Sequence, residues 1–454
     1  MTILSSLIVG LVSFGTPAVQ SDRYSNAESS GELNNIAWWG GFRDVRLDAL
    51  VAKGRRANLD LATTKSRVDE ARARVTQSLA PLLPTASWDS SINMAPLDSL
   101  GFQFGGSLGN SPGPMDLPEL YYTASSTLKA AIEIDLTGRN ILKHRTAKID
   151  VESSREDLNQ QKVQLTSGIV SAYFDVVTAK SQLRLLQRQL HTNEKLLALT
   201  KLRFDSGQNN SVDVLLQTQQ LEAARTRIPL AQAQLSGFEQ QLAVLLGESP
   251  GTKYQTAEVL PALPPDPGVG TPKQLSDQRP DLRAATKRLA SATARKKSAR
   301  RQFAPSLRIQ GQYGGQGIHI ADWRWQNFWS LGATISVPLS TGGLVWAQAK
   351  QSLAVERTAS SQFEAMRLQA INEVENALLR EQNQTLAMKS YMAQEQAALA
   401  ALEESRRRYA SGMGDYLMVL TTLATYQRVS LEAITAHRDL LAYRIALHTA
   451  LGDS

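Results

Sequence analysis

The stretch that decides the fold is Lys201-Leu-Arg-Phe-Asp-Ser-Gly207, followed after a short polar gap by Val212-Asp-Val-Leu-Leu216, because the chain contains it twice. Its counterpart near the C-terminus is Arg406-Arg-Arg-Tyr-Ala-Ser-Gly412, followed by Tyr416-Leu-Met-Val-Leu420. A match of this length indicates an internal repeat. In each copy we expect a helix to enter a turn that contains Gly, and a second helix to return antiparallel.

The two copies keep one register over about four dozen residues. Their residue numbers differ by 205 at each paired position, which holds for Arg203 with Arg408, Gly207 with Gly412 and Gly247 with Gly452. Earlier in each half, Arg279-Pro-Asp-Leu282 corresponds to Asn58-Leu-Asp-Leu61, and the residue numbers differ by 221. The sequence therefore predicts one architecture built from two halves.

Proline, glycine and hydrophobic periodicity divide the chain into segments. Residues 1–20 resemble a signal leader, and 21–43 form a polar surface segment. The first repeat, 44–247, is predicted to contain a helix from Asp44 to about Ala80, strands at 85–94 and 120–136 around a loop at 96–118, a long helix at 139–205 and a returning helix at 212–247. A Pro/Gly-rich linker follows at 248–275. The second repeat, 276–452, is predicted to contain a helix, strands at 305–313 and 328–339 around a loop at 314–326, a long helix at 342–409 and a returning helix at 415–451.

Each predicted strand has one polar face and one apolar face, because its side chains alternate. The apolar faces include Trp88, Tyr122, Ile132, Ile134, Trp329 and Ile335. One interpretation is an amphipathic sheet packed on helices in a soluble protein. The other is a membrane barrel with apolar side chains facing lipid. Aromatic residues near the strand ends favour the barrel, as an interfacial girdle: Trp88, Tyr122, Trp323, Trp325 and Trp329.

Four strands per chain are too few to close a membrane barrel, since known barrels begin at about eight strands. Open edges in lipid would leave backbone groups without hydrogen-bond partners. If the barrel interpretation is right, two, three or four copies must pool their strands. Periodicity alone leaves the number of copies open.

Composition argues against several classes of function. The net charge of +7 arises from basic residues interleaved with acidic ones along the helices, which is typical of solvated helix faces and disfavours nucleic-acid binding. The chain has no Cys, and its five His residues lack metal-ligand spacing. No nucleophile motif or phosphate-binding Gly loop is present, so we expect neither an enzyme nor a cofactor.

The order of elements resembles the TolC-type outer membrane efflux proteins, in particular those that partner pumps of the resistance-nodulation-division class. The resemblance covers about residues 38 to 452. The motifs that carry it are Trp38-Trp39-x-x-Phe42, Asn58-Leu-Asp-Leu61, Ile134-Asp-Leu-x-Gly138, Arg279-Pro-Asp-Leu282, Phe303-x-Pro305, Pro338-Leu-x-x-Gly342 and the doubled Arg-aromatic-x-x-Gly turn.

The resemblance implies a mainly α fold with a β-barrel part. Three chains would form a twelve-stranded outer-membrane barrel, four strands from each, that continues into a periplasmic α-helical barrel. It further implies an exit duct in the outer membrane, docked to a periplasmic adaptor and an inner-membrane transporter of the resistance-nodulation-division class. Such a duct would conduct drugs or other toxic small molecules without catalysis.

The resemblance also assigns candidate residues. The turns Ser206–Ser211 and Ser411–Asp415 would face the adaptor, which places four residues at that tip: Arg203, Gly207, Arg408 and Gly412. Family members narrow the pore with an apolar residue, often followed four positions on by Asp. Leu417 matches the apolar position, but Thr421 stands at the acidic one. Asp213 and Asp415 are then the candidate gate carboxylates, although capping of a helix N-terminus fits them equally well.

Two other functions compete with the efflux duct. A type I secretion duct would share the same architecture. A coiled-coil surface or structural protein would explain the long helices, but it explains neither the four two-faced strands nor the duplication.

Overall fold

The structure, a computed structural model, describes residues 24–25, 37–96, 120–208, 210–319 and 322–453. The predicted leader at 1–20, most of the segment at 21–43 and nearly all of the loop at 96–118 lie outside the described residues. In chain order the helices and strands are α1 (Val45–Ala57), α2 (Leu59–Leu79), β1 (Thr85–Pro96), β2 (Leu120–Ile134), α3 (Arg139–Asp205), α4 (Ser211–Leu245), α5 (Leu275–Gln278), α6 (Pro280–Arg300), β3 (Ser306–His319), β4 (Trp323–Ser336), α7 (Leu344–Ala410) and α8 (Tyr416–Leu451).

The duplication is visible in the helix limits. Helices α3 and α7 each contain 67 residues, and both ends of α7 lie 205 positions after those of α3. Helix α8 begins 205 positions after α4. Within the described residues, no helix combines the length and the apolar composition that crossing a membrane requires.

The chain forms two compact units that do not coincide with the repeats. The helical unit comprises Met1–Asn58, Lys162–Arg279 and Arg367–Ser454, and the sheet unit comprises Leu59–Gln161 and Pro280–Met366. Both long helices contribute residues to each unit, as do both repeats. The predicted repeat limits therefore describe the duplication of the sequence, whereas packing groups equivalent parts of the two copies together.

The predicted continuous helix from Asp44 to Ala80 is wrong, because Asn58 interrupts it. Asn58 has an extended backbone (φ −66°, ψ 130°), and its Nδ2 donates to the Leu245 carbonyl at 3.0 Å. Arg279 is its counterpart in the second repeat (φ −69°, ψ 123°), and its Nη1 donates to the Ala450 carbonyl at 2.9 Å. Each break thus supplies a donor to a carbonyl at the C-terminal end of a returning helix, where intrahelical partners run out.

The four strands form one antiparallel sheet in the order β1-β2-β3-β4. The predicted bounds of its second half are wrong, since β3 and β4 extend through most of the predicted loop at 314–326. Three of the four glycines in β3 fall in the predicted loop, but in the structure they leave space for neighbouring residues. A Cβ on Gly315 or Gly317 would lie 2.3 or 2.6 Å from the Trp325 ring, and one on Gly314 would lie 2.4 Å from the Ser126 carbonyl.

The other strand ends differ from the prediction by a few residues. Strand β4 stops at Ser336 rather than 339, because Pro338 lacks the N–H group that a ladder needs. Strand β1 continues to Pro96 beyond the predicted end at 94, and β2 stops at Ile134, before the predicted end at 136.

A ladder of ion pairs joins α3 to α6 within the sheet unit. The acidic residues lie on α3 and the basic ones on α6, with N–O distances of 2.6 or 2.7 Å: Asp150–Arg295, Glu152–Lys287, Glu156–Arg283 and Asp157–Arg288. Each of these exposed ion pairs contributes little to stability by itself. A row of four, with the acidic residues on α3 and the basic residues on α6, fixes how the two helices align.

Arg444 lies in the core of the helical unit, and its side chain is fully buried. Its Nη1 donates to the carbonyls of Pro264 and Pro265 at 2.7 Å, and its Nη2 donates to the Asp266 carboxylate at 2.5 Å. Its Nε and Nη2 also donate to Glu381 of α7. One buried guanidinium thus ties α8 to α7 and to the linker between the repeats.

Candidate functional site

The two helix turns that the duplication singled out have the same backbone geometry. Gly207 and Gly412 have φ values of 72° and 74°, which favour glycine over any residue with a Cβ. Gln208 N donates to the Arg203 carbonyl at 2.8 Å, and Met413 N donates to the Arg408 carbonyl at 2.9 Å. These are Schellman turns, in which the chain reverses directly after a long helix.

The two arginines of these turns have different partners, despite their equivalent positions. The Arg203 guanidinium lies 4.4 Å from the centre of the Tyr409 ring, and its Nη1 donates to the Tyr409 carbonyl at 3.4 Å. Arg408 donates to Glu404 of its own helix at 2.9 Å, as Arg407 does at 2.7 Å. These two hydrogen bonds lower the pKa of Glu404. Arg203 therefore links α3 to α7, whereas Arg408 stays within α7.

The candidate gate residues lie in the first turns of α4 and α8. The apolar side chain of Leu417 is 53% exposed. The Thr421 hydroxyl donates to the carbonyls of Leu417 and Met418 at 3.0 Å, which occupies it within its own helix. Leu417 stays a predicted apolar constriction, and Thr421 brings no charge to this position.

The two candidate carboxylates are not equivalent. The Asp415 side chain accepts the Leu417 N–H at 3.2 Å and caps α8. Asn210, rather than Asp213, caps α4 by accepting the Asp213 N–H at 3.0 Å. Burial raises the pKa of the Asp213 carboxyl, and the Asp415 carboxylate raises it further. Capping of α8 therefore explains why an Asp stands at position 415. Asp213 does not cap a helix, and the negative charge of Asp415 acts on its carboxyl group.

A buried chain of hydrogen bonds lies behind these turns. The Tyr416 hydroxyl donates to Gln217 Oε1 at 2.5 Å, and Gln217 Nε2 donates to the Asn193 carbonyl at 3.1 Å. Asn193 Nδ2 in turn donates to the Gln189 carbonyl at 2.9 Å. Burial raises the pKa of Tyr416 to about 12. Sequence reasoning missed this series of hydrogen bonds, because its Gln and Asn residues resemble the solvent-exposed Gln and Asn residues nearby in the sequence.

The five predicted interfacial aromatics share one face of the sheet. The strand register places Trp88 opposite Leu128, Trp329 opposite Tyr313, Trp325 opposite Gly317, and both Tyr122 and Trp323 opposite His319. Trp88 and Trp329 are 77% and 76% exposed. Trp88 Nε1 donates to Ser126 Oγ at 2.8 Å, and Trp325 Nε1 donates to Asn327 Oδ1 at 3.0 Å. These polar atoms are thus satisfied on the sheet itself.

Charge separates the two faces of the sheet completely. Among the described strand residues, the aromatic face carries no Asp, Glu, Lys or Arg. The opposite face carries all five: Asp89, Lys129, Glu133, Arg308 and Arg324. An exposed apolar face that spans all four strands and carries no charge is more stable against lipid than against water. No group of His, Asp or Glu suited to a metal ion occurs within the described part of the chain.

Solved structures share this fold. The outer-membrane channel OprN has a TM-score of 0.83 and 24% identity, over 97% of this chain and 98% of OprN. The CmeC outer membrane channel of Campylobacter jejuni has a TM-score of 0.83 and 18% identity, over 94% of this chain and 89% of CmeC. The predicted fold class, mainly α with a β-barrel part, is confirmed, and it is that of an outer membrane channel.

The family model described as "Outer membrane efflux protein" matches residues 50–248 and 271–453, so the chain belongs to that family. A curated relative is the pyoverdine export outer membrane protein OpmQ of Pseudomonas aeruginosa, which is 27% identical over 442 residues, 96% of this chain and 91% of OpmQ. Two predictions are thereby confirmed: the function of an efflux exit duct, and the location in the cell outer membrane with the helical part in the periplasm.

Proposed function

We propose that three copies of this chain assemble into a closed duct, which receives small molecules from a periplasmic adaptor and an inner-membrane transporter of the resistance-nodulation-division class. The observation that carries this proposal is the sheet. Within the described residues it has four strands, two open edges at β1 and β4, and one exposed face without charged side chains. Three copies give twelve strands, which suffices for a membrane barrel without edges.

The duplication supports a neighbouring copy beside α2. Helix α6 buries nine residues, and the ion-pair ladder fixes it to α3. Helix α2, its counterpart, has the same length of 21 residues but buries only Val68. Equivalent helices in a duplicated chain are expected to have equivalent neighbours. Helix α6 packs against the long helix α3 of its own chain. A long helix of a second copy would pack against α2 in the same way.

The turns at Gly207 and Gly412 are proposed as the tip that contacts the adaptor. Both reverse the chain after a long helix, and both leave exposed residues there, including Phe204 and Met413. Leu417 is proposed as the apolar constriction behind the tip, and Asp213 and Asp415 as its negative charges. Four of the five aromatics lie near strand ends and are proposed as the interfacial girdle in outer membrane lipid: Trp88, Tyr122, Trp323 and Trp325. Trp329 lies at the middle of β4 and is not placed in the girdle.

The duct is proposed to act without catalysis, so the energy for export comes from the transporter. OpmQ is named for pyoverdine export. We propose small-molecule cargo, which includes drugs and other toxic compounds. A type I secretion duct for proteins remains the second candidate, since the same fold would serve it. A coiled-coil structural protein does not fit the family.

The absence of Cys from the chain permits a direct test of the edge pairing. Cys is introduced at Ser91 in β1 and, one at a time, at Ser330, Thr334 or Ser336 in β4. At least one pair should form an intermolecular disulfide in the membrane and yield cross-linked dimers and trimers on a non-reducing gel. Each single Cys serves as the control. If every pair yields only monomers, the shared barrel is contradicted.

A further inference from the structure

The polar face of the sheet carries more basic than acidic charge. Asp89 and Lys129 form an ion pair at 3.0 Å, and Glu133 pairs with Arg139 of α3 at 2.6 Å. Both acidic side chains on this face are therefore neutralised. Within the described residues, Arg308 and Arg324 form no ion pair, although the strand register places Arg308 directly opposite Glu133.

Two cavities on this face contain the basic residues and no carboxylate. The first has a volume of about 460 Å³, and its lining includes Lys129, Arg308, Gln310 and Gln312. The second has a volume of about 840 Å³, and Arg324 is the one charged residue in its lining, beside Gln316 and Gln326. Amide N–H and hydroxyl groups can donate hydrogen bonds to anions. Guanidinium groups add charge and forked donors.

We infer that Arg308 and Arg324 make the barrel section of the duct selective for anionic solutes. The inference rests on the proposed function, because only a closed barrel turns the polar face into a lumen. Basic residues repeated around a pore favour anions, and the low-dielectric walls of a cleft strengthen their field. In a trimer each arginine occurs three times at one level of the lumen. Carboxylate, sulfonate and phosphate groups on the cargo are the chemistry that this wall attracts.

The two lining arginines occupy opposite ends of the strands. Arg308 lies two residues after the start of β3, and Arg324 is the second residue of β4. A permeating anion would therefore meet basic charge near both ends of the barrel section. The proposed gate carboxylates Asp213 and Asp415 are negatively charged and would oppose anion selectivity. The effect of the two arginines is therefore measured between variants that all keep both carboxylates.

The test is the reversal potential of single channels in planar lipid bilayers under a KCl gradient, which gives the chloride-to-potassium permeability ratio. The variants are the double substitution Arg308→Gln/Arg324→Gln and the charge-retaining Arg308→Lys/Arg324→Lys. The matched control is Gln310→Ser/Gln326→Ser, which alters one uncharged lining residue in each cavity.

We expect the glutamine variant to lower the permeability ratio by about twofold or more at about 0.1 M salt, and the difference to shrink at about 1 M, where the Debye length falls to about 3 Å. The lysine variant and the control should keep the parent ratio. An equal ratio in parent and glutamine variant would overturn the inference while leaving the duct intact. Failure of the parent protein to conduct at all would overturn the proposed function and the inference with it.

Discussion

The Arg203 guanidinium lies over the ring of Tyr409 at 4.4 Å, and this contact joins α3 to α7 beside the helix turns. Its equivalent in the second repeat, Arg408, bonds to Glu404 of its own helix instead. The duplication thus supplies two arginines at matched positions, of which one bridges helices and the other does not. This difference makes Arg408 an internal control for Arg203.

Arg203→Ala is expected to loosen the packing of α3 against α7 at the helix turns and so to favour a more open duct. A cation–π contact of this kind contributes about 1 kcal/mol, which corresponds to about a fivefold change in a closed-to-open equilibrium. Single-channel recording in bilayers should show a higher open fraction or conductance for Arg203→Ala. Arg408→Ala should behave as the parent protein. Equal effects of the two substitutions would remove the Arg203–Tyr409 contact from the gate.

Leu417→Ser is expected to raise the conductance of the resting duct. A ring of apolar side chains excludes water and ions from a narrow pore, and a hydroxyl at that position would admit them. Met413→Ser is the control, because Met413 is also highly exposed but lies in the turn itself. Unchanged conductance in Leu417→Ser would place the constriction elsewhere.

Acid is expected to stabilise the arrangement of the helix turns seen in this structure, through Asp213. Burial and the neighbouring Asp415 raise the pKa of the Asp213 carboxyl above its usual 3.8, so the folded arrangement holds the proton more tightly than the free side chain does. This stabilisation is present at low pH and is lost as the pH rises through the raised pKa. Between neutral pH and pH 4 the conductance of the parent should fall.

Asp213→Asn should flatten this pH dependence, because the amide does not titrate. Asp205→Asn is the matched control, since Asp205 is an exposed carboxylate at the end of α3 on the same tip. A pH profile that Asp213→Asn leaves unchanged would assign the titration to another group.

Arg444→Met is expected to release the linker between the repeats. The substitution leaves Glu381 buried without its partner, which costs about 3–5 kcal/mol in comparable buried ion pairs. Limited proteolysis should then cleave the linker at 261–266 much faster than in the parent. The double variant Arg444→Met/Glu381→Leu should recover part of the loss, because it removes the buried charge as well. Parent-like cleavage of Arg444→Met would show that the linker is held by other contacts.

The sequence predicted those features that depend on local backbone chemistry or on strand alternation. Gly207 and Gly412 follow long helical stretches at equivalent positions, so the sequence predicts turns that contain Gly there, and the positive φ values of both residues agree. The alternation in β2 and β4 placed Tyr122 and Trp329 on the apolar face, where the register puts them. These properties belong to short stretches of chain and need no knowledge of distant neighbours.

Features that depend on distant neighbours were missed. Asn58 breaks a helix because the Leu245 carbonyl lies within reach of its side chain, 187 positions away in sequence. Gly315 and Gly317 belong to a strand because the Trp325 ring occupies the space beside them. Gln217 is buried because Tyr416 of another helix donates to it. None of these partners can be identified from the residues around the site.

The measurement that tests the central claim most directly is the native mass of the protein, extracted from outer membranes in mild detergent and corrected for bound detergent. We expect the mass of three chains, which would combine twelve strands into one barrel. A monomer would leave the β1 and β4 edges unpaired and the apolar face of the sheet without a closed barrel. That result would contradict the shared duct.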